Sequence, residues 1–342
     1  MDGSQREIWI DVARGLGIIA VVVAHVLVDT NPGNSITWFL FLFHMPMFFI
    51  LAGMNQKPAA LGQFLKRRGL QLLVPYAFYI ALFTAPSVAR WLIELARGHV
   101  EHPVNWTSVL WGGDQLGGAT GVLWFLTCLF FAQAIYTLLL NRFGNASNAG
   151  LVAVVAAAVG AAYLLSLFSI SLPLAINIVP AALLFIWIGN IVGRQKIGHI
   201  VAGASVVVSL ALLLGCVALG YSTAFDMKGM SYGVIGAGFA IAALLSFATF
   251  YLSQSLGASP VAQGLAYLGK ASLVIMALHQ GIRFAAQSVI GAEPVSLILI
   301  AIAASLLVYE LARRTPVLSE LMTGAPRSSS WLVKRPAEPR LG

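Results

Sequence analysis

Asp11, Arg14 and His25 lie within one apolar run, residues 8 to 28, that is long enough to cross a bilayer. At about 100° per residue, the steps from Asp11 and Arg14 to His25 bring all three onto one face of a helix, and Asp29 follows one turn later. A charge near the bilayer centre costs roughly 2.5–3.5 kcal/mol even on permissive insertion scales, so a stripe of polar groups implies a protein-lined or water-filled interior. Read structurally, the same residues are an Asp11–Arg14 pair and a satisfied buried histidine. His44 in FLFHMPMFFILAG and His279 in LGKASLVIMALHQGIR also fall at mid-membrane depth, and three histidines on different spans point to a shared polar cavity. Pro46, just after His44, lacks an N–H and loosens its helix. Lys66, Arg67 and Arg68 in FLKRRGLQLLVPY suit nucleotide phosphates, which arginine grips bidentately, and equally suit a simple anchor at the membrane surface. With Arg14 they form an electropositive track into the bundle.

The elements that must position these residues are membrane helices. With 59% hydrophobic and 9% charged residues among 342, the chain is too apolar for a soluble domain. The apolar runs predict ten spans, near 8–28, 36–54, 70–93, 122–140, 149–168, 174–193, 199–220, 232–252, 271–290 and 294–312. Runs of this length satisfy their backbone as helices, so the expected fold is an all-α polytopic bundle. The domain is expected over 1–314, with a tail over 315–342.

Lys57, Lys66, Arg67, Arg68, Arg142, Arg194, Lys196, Lys270, Arg313 and Arg314 all fall on one side of this arrangement, as do Arg327, Lys334, Arg335 and Arg340 of the tail. The positive-inside rule makes that side, and both termini, cytoplasmic. The short loops expected outside carry only Lys228; Arg90 and Arg97, at the outer end of the third span, run against the pattern. The net charge of +8 is thereby accounted for by topology, and no nucleic-acid partner is expected. Cys128 and Cys216 fall on different spans and predict neither a disulfide framework nor a metal cluster. The segment from Glu94 to Gly121, with His99, His102, Trp106, Trp111 and Asp114, either covers a site or lies at the headgroup level; its two histidines are a weak case for a metal. The first span is expected to be retained rather than cleaved.

Taken in order, IDVARGLGIIAVVVAH, FHMPMFFILAG, FLKRRGLQLLVPY, LWFL at 123–126 and LGKASLVIMALH resemble the acyltransferase-3 family of bacterial integral-membrane O-acyltransferases, including its fucose 4-O-acetylase-like members. The first of these carries the family's arginine-to-histidine spacing as Arg14 and His25. Ala52 stands where a serine is usual and Met276 where an aromatic residue is common, neither expected to touch a catalytic group.

The resemblance implies transfer of an acyl group, usually acetyl, from cytoplasmic acyl-CoA to a hydroxyl of an envelope or exported polysaccharide, or of its lipid-linked precursor, in the bacterial inner membrane. The expected partners are membrane lipid, the carbohydrate acceptor and envelope-glycan assembly proteins. On this reading Arg14, Arg67 and Arg68 hold the CoA phosphates and His25 is the general base; a covalent acetyl-histidine is the alternative. Arg14 to His25 spans roughly 16 Å of helix, within reach of a pantetheine arm. Asp11, His44, Trp124 and His279 are expected at the cavity or acceptor, with His44 and His279 as donors to the thioester oxygen or acceptor hydroxyls, and Asp11 chiefly paired with Arg14. Asp29 is expected to be a loop carboxylate rather than the group that orients His25. No metal is required. The competing class is a transporter or flippase of lipid-linked glycans, whose midplane polar groups would serve alternating access.

Overall fold

The computed structural model describes residues 8–324, and the basic tail residues Arg327, Lys334, Arg335 and Arg340 lie outside them. The chain begins with α1 (Ile8–Thr30), then α2 (Ser35–Phe41) and α3 (His44–Gly53), which together make one broken span. Next, α4 (Leu61–Arg68) runs through a π-helical turn at Gly69–Leu73 into α5 (Val74–Ala96). The short α6 (Trp106–Trp111) is followed by α7 (Trp124–Phe143), α8 (Ala149–Leu167), α9 (Val179–Val192) and α10 (His199–Ala218). The remaining helices are α11 (Ala237–Ser255), α12 (Pro260–Lys270), α13 (Ser272–Ile290), α14 (Pro294–Arg313) and α15 (Pro316–Thr323). Among the described residues, ten helical segments are long and apolar enough to cross a membrane, and they coincide with the ten expected spans. The protein is therefore an all-α, multi-pass membrane bundle.

Three departures from the expected elements matter for the site. The third span extends back to Leu61, so Lys66, Arg67 and Arg68 sit on the helix itself, joined to it by the π turn rather than by a loop. The second span breaks at Leu42 and Phe43, ahead of Pro46, which occupies the first turn of α3, where a missing N–H costs little. The third is α12, which does not cross the membrane. Ser259 caps it by accepting from the Ala262 N–H, and Pro260 occupies its first position, a start signal that the sequence displays openly.

α1 is the axis of the bundle, packed by α2, α3, α11, α12, α13 and α14. Its approach to α12 depends on two glycines. A Cβ on Gly15 would lie 2.0 Å from the Leu265 carbonyl oxygen, and one on Gly269 would lie 1.8 Å from that of Asp11. α3 and α9 cross in the same manner, Gly53 against the Ile186 carbonyl and Gly189 against that of Ile50, each at 2.0 Å. Within lipid, where helices gain little from hydrophobic burial against one another, such small-residue contacts are what let backbones approach. Gly189→Ala is expected to lower the thermal midpoint of the detergent-solubilised protein, an overpacking cost of about 1–3 kcal/mol or more. Gly203→Ala on α10, which has open space around it, should leave the midpoint unchanged or slightly raised.

Candidate active site

At the basic end of the bundle, α1, α3, α4, α7 and α13 enclose a cavity of about 220 Å³ whose polar walls are Arg14, Asn55, Arg68, Gln133 and Ser272. Arg14 is held by Asp11, Nη1 to Oδ1 at 3.1 Å; the carboxylate is buried while the guanidinium keeps about a third of its surface. The pair neutralises a charge that α1 must carry into the membrane. Arg68 donates to Gln71 at 2.9 Å, leaving its Nε buried without a partner, and it lies within electrostatic range of both Arg14 and Arg67. Arg194 reaches the same mouth through a 2.7 Å bond to Asn55.

A second cavity, of about 210 Å³, lies further along α1 and is lined by His25, His44, Phe41, Trp124, Asp226 and Lys228. Val21, Met45 and Met276 line both cavities, so the two meet at an apolar neck on α1, α3 and α13. His25 and His44 face it with ring centroids 6.4 Å apart, and His279 packs behind the wall with its ring 5.4 Å from that of His25.

Their hydrogen bonding distinguishes them. At the break before α3, the Leu40 carbonyl lies 2.7 Å from His44 Nδ1. His279 Nδ1 lies 2.8 Å from the Met276 carbonyl and 3.0 Å from that of Ile275. Carbonyls only accept, so Nδ1 carries the proton in both rings, and each neutral ring offers Nε2 as an acceptor. His279 Nε2 is buried with no hydrogen-bond partner among the described residues. His25 makes ring contacts with Phe41, His44 and His279 but no hydrogen bond to a described residue. Of the three imidazoles it alone has both nitrogens uncommitted.

The far side of this cavity is a cap of loops. Asp226 and Ser231 exchange both backbone hydrogen bonds, closing a tight loop anchored by buried Phe225, Met227, Met230 and Tyr232. Lys228, at its tip, donates from Nζ to the Leu116 carbonyl at 2.5 Å, tying the loop to the 112–121 segment. That segment is held in turn by Asp114, which accepts from Ser171 at 2.8 Å and Asn177 at 3.1 Å. Burial pulls the Lys228 pKa below its ordinary value, against the opposing carboxylates of Asp226 and Asp114, and burial raises that of Asp226.

The structure thus brings His25, His44 and Trp124 together in one cavity and places Arg14 and Arg68 in the adjoining one, while Arg67 is exposed at the mouth and lines neither. His279 and Asp11, also expected at the cavity, are buried behind its walls, His279 against His25 and Asp11 against Arg14. Several expectations need correction. Asp29 belongs to the last turn of α1, not to a loop, and accepts from the fully buried Arg283 at 2.5 Å, which makes it an interhelical clamp to α13. Ala52 lines the basic cavity and Met276 the neck, so the two family departures fall in the walls of the site. His44 and His279, when neutral, are acceptors and cannot donate to a thioester oxygen. Arg90 is paired with Glu94, which also binds the ring of His102 at 2.8 Å, so this charge is locally neutralised and no metal-binding group of three forms among the described residues. Asp226 and Lys228 were not anticipated as cavity residues; the only signal was that Lys228 is the one basic residue in the short far-side loops.

A family model described as an acyltransferase domain, that of the acyltransferase-3 family, matches residues 7–309. No curated protein and no solved structure matches the chain. Because the family match takes in every span from α1 into α14, and with them both cavities, the chain belongs to the acyltransferase-3 family and is an integral-membrane acyltransferase.

Proposed function

We propose that the protein moves an acyl group, acetyl in the first instance, from cytoplasmic acyl-CoA to a sugar hydroxyl of an envelope or exported polysaccharide or its lipid-linked precursor, within the bacterial inner membrane. The observation that carries this reading is the pair of cavities on α1, one basic and one histidine-lined, meeting at Val21, Met45 and Met276. A polyanionic donor belongs with the arginines and a neutral polyol with the imidazoles. The apolar neck between them suits the uncharged pantetheine arm. Clustering of basic residues at the Arg14 end favours the cytoplasm on that side, with both chain ends there.

Arg14 and Arg68 then hold the phosphates, with Arg67 drawing the donor to the mouth. His25 takes the proton of the acceptor hydroxyl as its oxygen attacks the thioester carbon, and returns a proton to the departing CoA thiolate. A His25 N–H turned toward the orphaned Nε2 of His279 would satisfy that buried acceptor and leave the other His25 nitrogen as the base. His44 Nε2 and Asp226 are placed to accept from hydroxyls of the sugar, and Trp124 offers an aromatic face. The chemistry needs no metal.

The test is the ester-linked acetyl content of envelope glycans from cells lacking this protein, complemented with wild type or His25→Ala at equal level. Acetyl restored by the wild type alone supports the reading; acetylation indifferent to the protein refutes it. In membrane vesicles supplied with acetyl-CoA, His25→Ala should lower kcat by about 10²–10⁴ with CoA affinity kept, which labelled-CoA binding measures alongside turnover. Arg14→Ala should act mainly on KM for acetyl-CoA, raising it by about 10-fold or more, the scale of one hydrogen bond to a charged group.

A further inference from the structure

The acyl-transfer reading leaves one requirement unmet. When the acceptor oxygen adds to the thioester carbon, the carbonyl π electrons move onto oxygen, and an anion forms in a low-dielectric chamber. Neither His44 nor His279 can meet it with a hydrogen, because each spends its Nδ1–H on a backbone carbonyl. His25 is occupied by the proton of the hydroxyl. The interior backbones of the helices around the cavity are committed to their own ladders, and the first-turn N–H groups where α3 and α7 begin carry only partial charge.

Among the described residues facing this cavity, two side-chain donors are left. One is the indole N–H of Trp124, which makes no hydrogen bond. The other is the ammonium of Lys228, which has three N–H donors and gives one to the Leu116 carbonyl, leaving two. It forms no ion pair within 4.0 Å, yet lies within electrostatic range of Asp226, Asp114 and His25. The Asp226–Ser231 backbone exchange and the bond to Leu116 hold it in place before any substrate arrives. A fixed, partly desolvated cation in the wall of the chamber is what stabilisation of a developing oxyanion demands.

We propose that Lys228 is a catalytic residue: its ammonium binds the oxyanion formed on the acyl carbonyl, so the far-side loop completes a site otherwise built on the helices. The step balances without a further reactant. The acceptor O–H proton goes to His25, the new C–O bond forms, the anion rests on Lys228, and its electron pair re-forms the carbonyl as the C–S bond breaks and the thiolate takes the proton from His25. This rests on the acyl-CoA reading given above.

The experiment uses vesicles of the producing strain with full-length protein and radiolabelled acetyl-CoA, following label in the endogenous glycan per folded protein. Lys228→Gln is expected to lower the maximal rate by about 10²–10³, the range for loss of an oxyanion donor, with KM for acetyl-CoA and the thermal midpoint unchanged. Lys228→Arg, which keeps the charge, should recover part of the loss. A wild-type rate in Lys228→Gln overturns the proposal. So does a loss that tracks a lowered thermal midpoint and is not relieved by Lys228→Arg, because the lysine is then only a strap to Leu116. Wild-type vesicles that transfer no label refute the underlying acyl-CoA reading instead, which separates the two failures.

Discussion

The rest of the structure depends on the enclosure of α1. A helix carrying Asp11, Arg14 and His25 is costly when exposed to hydrocarbon, and it becomes tolerable only when other helices or water-filled cavities cover the polar face. Here the cover begins with close backbone contact. Gly15 and Gly269 let α12 press against the base of α1, where the Asp11–Arg14 pair sits, and Asp29 clamps the far end to Arg283 of α13. Held at both ends, α1 presents one face to two cavities in sequence, with Arg14 in the first and His25 in the second.

Small local irregularities give those cavities their chemistry. At the break the Leu40 carbonyl accepts a 3.3 Å bond from the Phe43 N–H and takes the His44 imidazole as its second donor. That second bond sets the ring's tautomer, as carbonyls within α13 do for His279. Arg67 and Arg68 are adjacent on α4, just before the π turn at Gly69–Leu73, and their side chains leave the helix about 100° apart, so Arg67 is exposed while Arg68 lines the cavity with Arg14. On the far side, three connecting segments are cross-linked by Asp114, Ser171, Asn177 and Lys228 into a cap that brings a cation to the chamber.

The division of labour is spatial. Guanidinium groups line one end and imidazoles the other, with an apolar constriction of Val21, Met45 and Met276 between them. Because Met276 also supplies a carbonyl to His279, its position couples the width of the neck to the orientation of an imidazole.

Much of this was legible in the sequence. Ten apolar runs of span length dictated ten helices, since nothing else satisfies so long an apolar backbone in lipid. The periodicity of α1 put Arg14 and His25 on one face, and the bare presence of three midplane histidines pointed to one cavity. Other features were not legible, for a common reason: they depend on neighbours distant in the chain. Asp29 read as a loop carboxylate until Arg283, some 250 residues on, proved to be its partner. Arg67 and Arg68 are indistinguishable as letters, and only packing decides which one faces inward. The proton positions on His44 and His279 follow from carbonyls shared within turns, and Lys228 joins the chamber only because two far-side loops fold over it. Composition and period determined the helices and the helix faces; which polar groups meet, and which nitrogen holds the proton, was decided by tertiary contact.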